Sequence, residues 1–104
     1  MTPPLAAALA ALLAAGAVGA RAQTPADLRT RSLAATCTQC HGTDGRALPG
    51  ETMVRLAGLP KERIATQMRA FRDGQRPATV MHQLAKGYTD AQIDALAAYF
   101  AAVR

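Results

Sequence analysis

The chain has 104 residues, with 12 Lys and Arg against 7 Asp and Glu, two Cys, no Trp and half of its residues apolar. That length holds one domain and excludes a multidomain enzyme. The net charge of +5 is mild and scattered, which excludes a nucleic-acid footprint and suits docking to acidic partners.

Leu5–Ala20 is an unbroken run of 16 residues drawn from Ala, Leu, Val and Gly, shorter than the ~20 that span a bilayer. It ends in Ala20-Arg21-Ala22, a small-x-small cleavage pattern, so residues 1–22 are expected to be a secretory signal peptide. The preceding Met1-Thr2-Pro3-Pro4 carries no Lys or Arg, and the alternative is an uncleaved N-terminal anchor. Cleavage would leave a domain of 82 residues, 23–104. At about that size a polypeptide core supplies only ~3–5 kcal/mol unless something staples it.

After Ala22 the apolar spacing is helical, with no repeat and no strand-like alternation. The first helix is expected from Pro25, behind Thr24 as N-cap, through Leu28 and Leu33 to the cysteines. A Gly-rich loop follows from Gly42 to about Gly58, turning at Pro49-Gly50. The second helix opens at Pro60, carries Ile64, Met68 and Phe71, and stops at Gly74 with Arg72 suiting its C-terminal dipole. A loop containing Pro77 leads to the third, which starts at a capping box, Thr89-Asp90-Ala91-Gln92. Ile93, Leu96, Ala97, Phe100 and Val103 form its apolar stripe. The fold class is therefore all-α, with three main helices, Leu33 and Ala34 near Leu96 and Phe100. All four aromatics (Phe71, Tyr88, Tyr99 and Phe100) fall in the C-terminal third, so these Ala-rich helices lack bulk to pack around.

Cys37-Thr38-Gln39-Cys40-His41 is C-x-x-C-H, the attachment signature for c-type haem. Two thiols three residues apart can each form a thioether to a haem vinyl group, and the next residue then offers its imidazole to the iron as proximal ligand. One covalent haem c would supply the missing apolar bulk, wedged beneath the second helix. The rival readings fit less well: a thioredoxin-like pair needs a βαβ context, a C-x-x-C disulfide closes a tiny loop, and His82 stands at no common zinc-finger spacing from His41.

For a sixth ligand the candidates are Met53, Met68, Met81 and His82. A Met thioether raises the reduction potential. Met68 lies on the apolar stripe of the second helix, and Met53 only 12 residues after His41. Met81 lies in the loop before the third helix, where a segment can close over the distal face. His82 would ligate with a lower potential.

With Cys37–Gly45, Met81 and Thr89–Phe100, the chain resembles class I c-type cytochromes over nearly its full length after Ala22. A finer resemblance, to the cytochrome subunit of flavocytochrome c sulfide dehydrogenase, rests on four segments. They are Leu56-Ala57-Gly58, Gln67–Gly74, Val80-Met81 with Ala85-Lys86-Gly87-Tyr88, and Ala97-Ala98-Tyr99-Phe100. The resemblance implies Cys37 and Cys40 as haem thioethers, His41 as proximal and Met81 as distal iron ligand. It departs at Val54, where the family commonly has a Pro whose carbonyl accepts a hydrogen bond from the proximal His.

No acid, base or nucleophile cluster accompanies the motif. The function implied is one-electron transfer in the periplasm, not catalysis by this chain alone. The partner is expected to be a flavoprotein dehydrogenase acting on reduced sulfur, with no nucleic acid and no stable membrane insertion once the leader is removed. The alternatives are a free shuttle docking through Lys61, Arg76 and Lys86, and a small-ligand sensor if Met81 does not bind.

Overall fold

The computed structural model describes residues 21–104; the Leu5–Ala20 run lies outside the described residues. Four α-helices are present among them: α1 (Pro25–His41), α2 (Lys61–Arg72), α3 (Met81–Leu84) and α4 (Asp90–Ala101). Short 3₁₀ turns lie at Thr43–Gly45 and Ala85–Gly87. The all-α expectation holds, and the three expected helices start and stop close to their sequence signals. The one-turn α3 is the addition, and it corrects the placing of Met81 in the loop before the third expected helix. No described helix is long and apolar enough to cross a membrane.

Both long terminal helices begin where side chains satisfy orphan backbone donors. At α1, Thr24 Oγ1 accepts from the Asp27 amide at 3.1 Å, and Asp27 Oδ2 accepts from the Thr24 amide at 3.0 Å. At α4, Thr89 Oγ1 accepts from the Gln92 amide at 3.2 Å while Gln92 Oε1 accepts from the Thr89 amide at 2.9 Å. Between α1 and α2, Pro49-Gly50 makes the expected turn, closed by the Glu51 amide on the Leu48 carbonyl at 3.1 Å.

The core gathers Ala34 of α1, Ile64 and Ala65 of α2, and Ile93, Leu96, Ala97 and Phe100 of α4, with Leu33, Met68 and Tyr88 packed against it. Val103, expected on the α4 stripe, lies past the helix end and is only half-buried. Five of the nine buried hydrophobic residues are alanine. Only Ile64, Ile93, Leu96 and Phe100 can contribute the ~1.5–3 kcal/mol of a large buried side chain, so the polypeptide alone makes a thin core.

Polar contacts tie the layers together. Arg69 donates to Asp90 Oδ1 at 3.1 Å and to Asp94 Oδ1 at 2.7 Å, and Arg72 donates to Asp90 Oδ1 at 2.8 Å, so α2 is clamped to the first turns of α4. Bonds from Arg72 and Arg69 hold the Asp90 carboxyl below its ordinary value. A carboxyl lowered in the folded state contributes stability above its unfolded pKa, near 4, and that contribution is lost as pH falls through the folded value. Asp90→Asn should therefore lower the thermal midpoint at pH 7 and flatten its acid dependence below about pH 4. Equal acid slopes in calorimetry would show the clamp to be inert.

Candidate functional site

The C-x-x-C-H motif occupies the last turn of α1, so Cys37, Cys40 and His41 are presented from one rigid end. Cys37 is half-buried against the core, and burial pushes its thiol pKa up. Cys40 is exposed, and no disulfide joins the two. The helix then stops at Gly42, whose φ of 83° belongs to the left-handed region and whose added Cβ would meet the Arg46 carbonyl oxygen at 2.7 Å. The chain turns immediately behind His41 as a result.

His41 is held by its far ring nitrogen. Nδ1 lies 2.6 Å from the Val54 carbonyl oxygen; since a carbonyl only accepts, Nδ1 donates, and in the neutral ring Nε2 keeps the lone pair. This bond falls at the position where the sequence departs from the family's proline, and it forms there because the acceptor is backbone. Its position is set two residues downstream, where the Gly45 carbonyl accepts from the Leu56 amide at 2.9 Å and the Ala57 amide at 3.0 Å. Gly45 is itself irreplaceable there: a Cβ would come within 2.8 Å of the Phe100 ring and 2.9 Å of the Leu56 Cβ. A chain of contacts thus runs from α4 through Gly45 to the acceptor of the His41 bond.

Sequence reasoning missed the anchor beside it. Asp44 adopts a left-handed φ of 51°, and its Oδ1 accepts from the Tyr99 hydroxyl at 3.0 Å. Arg46 donates both to Asp44 Oδ2 at 3.2 Å and to the Arg104 carbonyl at 2.6 Å. These bonds fix the loop that leaves the motif onto the C-terminal helix.

On the other side, Met81 is half-buried at the first position of α3. The Gln83 and Leu84 amides donate to the Val80 carbonyl at 2.9 and 3.1 Å, which fixes the turn that presents it. Met68 packs against the core, and Met53 is exposed in the first loop. His82 is half-buried, with Nδ1 buried and without a partner.

Several observations bear on whether these residues fit a haem. With Nδ1 bonded to the Val54 carbonyl, His41 Nε2 is the ring nitrogen left to bind an iron. Met53 and Val54 after the motif, and Val80 and Leu84 around Met81, are large apolar side chains left exposed. Gln67 Oε1 and His82 Nδ1 are buried and unpartnered, although native interiors pair nearly all such atoms. A large, mostly apolar group answers the first two; the two orphaned atoms are already covered by polypeptide. Among the described residues no group of three or more His, Cys, Asp and Glu could hold a metal ion by itself, which leaves the zinc reading without a ligand set there. An open groove of about 450 Å³ between α1 and α4, lined by Asp27, Thr30, Arg31, Ala95, Ala98 and Tyr99, shares no residue with the motif.

Residues 21–100 match the family described as cytochrome c oxidase, cbb3-type, subunit III. Among curated relatives, the chain is 44% identical over 71 residues to the thiosulfate dehydrogenase electron acceptor of Thiomonas intermedia, a match covering 68% of this chain and 33% of that protein. It is 39% identical over 72 residues to the cytochrome subunit of sulfide dehydrogenase of Chlorobaculum tepidum, covering 69% of this chain and 64% of the relative. Cytochrome c-554(548) of Halomonas halodenitrificans is 38% identical over 68 residues, 81% of its length. The chain thus spans about a third of the first of these relatives and just under two thirds of the second.

Proposed function

The chain belongs to the c-type cytochrome family whose description is cytochrome c oxidase, cbb3-type, subunit III, and from that membership we propose that it is a monohaem electron carrier of the periplasm. In this reading it is the haem subunit that accepts electrons from a flavoprotein sulfide dehydrogenase. The observation that carries the reading is the motif on the last turn of α1, with His41 Nδ1 bonded to the Val54 carbonyl at 2.6 Å.

Cys37 and Cys40 would hold the haem by thioethers, and His41 and Met81 are the residues that would bind its iron. The haem would supply a one-electron couple. The chain's task is to keep both ligands in place in both oxidation states, so that little reorganises. The bond to Val54 fixes the His41 tautomer and ring plane and raises the basicity of Nε2, while the turn at Val80 fixes the backbone of Met81. Export precedes this, with residues 1–22 as the signal peptide.

The partner reading draws on two relatives named for reduced-sulfur dehydrogenases and on the surface around α3. A flavin takes two electrons from a reduced substrate and releases them singly to a haem. Val80 and Leu84, both exposed, give an apolar contact beside Met81, flanked by exposed Arg76 and Lys86. Gel filtration of a native periplasmic extract at low and high salt, following haem and flavin absorbance together, tests the partnership. A dedicated subunit stays with its flavoprotein at 1 M salt, where the Debye length shrinks to ~3 Å and only apolar burial persists. Co-elution confined to low salt makes it a free shuttle, and no co-elution at either salt removes the flavoprotein.

A further inference from the structure

Residues 80–88 carry Met81 and lead into α4, and the two ends of this segment are held differently. The stretch before it, residues 73–79, is mostly exposed and among the described residues bonds back only to the last turns of α2. At the far end Ala85 is fully buried and Tyr88 packs against the core. There the Tyr88 hydroxyl lies 3.2 Å from Thr36 Oγ1 of α1, across 52 residues of chain. Every other hydrogen bond of residues 80–88 among the described residues stays inside the segment. The direction of the bond follows from counting protons. Thr36 has one hydroxyl proton, and it goes to the Leu33 carbonyl at 2.7 Å, which can only accept. Tyr88 is therefore the donor and Thr36 the acceptor. Since Thr36 immediately precedes Cys37, this bond ties the segment that bears Met81 to the helix that bears the attachment motif.

We propose that Tyr88 is a positioning residue for Met81, its hydroxyl on Thr36 being the latch that keeps residues 81–88 closed against α1. The inference rests on the reading of Met81 as distal ligand. A Met side chain is unbranched and flexible, so its sulfur keeps one position only if its backbone does. The turn at Val80 fixes that backbone within the segment, but nothing in the turn stops a one-turn helix with an exposed lead-in from swinging as a unit. The bond from Tyr88 to Thr36 is the fixed point outside it, and the segment cannot swing away from α1 without breaking it. A net hydrogen bond shifts such an opening equilibrium roughly two- to tenfold. The latch is separable from the core, because a phenyl ring fills the same space and lacks only the hydroxyl. An added ligand reaches the iron only in the open state, so its apparent affinity rises by the factor by which that state becomes more populated.

The test is Tyr88→Phe in the haem-bearing protein, read by imidazole binding to the oxidised iron and by amide hydrogen exchange at Gln83, Leu84 and Tyr88. The expected result is tighter imidazole binding by the factor just given, faster exchange of those amides by a similar factor, and a Met-to-iron charge-transfer band retained when no imidazole is present. Thr36→Val should reproduce both changes, and the double variant should bind imidazole no more tightly than either single one, because one bond is lost in all three. Unchanged affinity and exchange overturn the proposal even if the thermal midpoint falls, since the bond then stabilises the fold without holding the segment. Tighter imidazole binding with unchanged exchange also overturns it, as do additive effects in the double variant. Should Tyr88→Phe fail to accumulate, Thr36→Val, which alters no residue of the segment, is read in the same two assays. A parent protein without a Met-to-iron band is a failure of the Met81 reading, whereas unchanged exchange is a failure of the latch, and the two are thereby told apart.

Discussion

Replacing both Cys37 and Cys40 by alanine should abolish accumulation of haem-bearing protein, the largest effect expected of any change to this chain. Ordering each backbone residue costs ~1–2 kcal/mol, and five of the nine buried hydrophobic side chains set against that cost are alanine. A covalent haem closes the deficit because it cannot leave and presents apolar area that the helices do not have. The parent protein should accordingly keep its haem under denaturing conditions, giving the mass of the processed chain plus one haem by mass spectrometry. Release of the haem into acidified organic solvent would mean that neither thioether exists. Single substitutions separate the two thiols: Cys37 is packed against the core and Cys40 is exposed, so Cys37→Ala should also loosen α1 against its neighbours and give the less stable product of the two.

What the sequence disclosed of this molecule follows from how local each cause is. Thr24 and Thr89 announced two helix starts because a cap acts within three residues of itself, and the stripe Ile93, Leu96, Ala97 and Phe100 announced the core because helical period is local too. The α1 capping box was passed over only because Asp27, not Glu or Gln, stands at its third position. The one-turn α3 has too few residues for any period to show. The bonds from Tyr99 to Asp44 and from Arg69 to Asp94 join residues 55 and 25 apart, and no spacing rule reaches across a fold. The C-x-x-C-H motif was legible because one helical turn carries it whole. The partner of its imidazole was named from resemblance, and it forms at Val54 because a backbone carbonyl belongs to every residue. Within the Gln67–Gly74 segment Gln67 gave no signal of its own: a polar residue on a helix is ordinary until the structure buries its oxygen.

Met81→Ala should remove the Met-to-iron charge-transfer band of the oxidised protein completely and lower its reduction potential, since a thioether favours ferrous iron more than the water or nitrogen ligand that would replace it. The rival positions are disfavoured by where they lie. Met68 is packed against the core and cannot leave it without opening a cavity. Met53 is exposed on the first loop, only one residue before the Val54 carbonyl that holds His41 from behind. A side chain so close to the proximal acceptor is poorly placed to reach the opposite face of the same iron. Met81, by contrast, stands at the start of a turn pinned by two amides on the Val80 carbonyl, so its backbone is set before the iron arrives and little has to move when the charge changes. Met53→Ala, Met68→Ala and His82→Ala should therefore all retain the band, with Met68→Ala costing less than the ~2–5 kcal/mol of a fully buried large-to-small change, because Met68 is only half-buried. A band that survives Met81→Ala but is altered by His82→Ala would transfer the ligand role to the imidazole, and with it the expectation of a low-potential carrier.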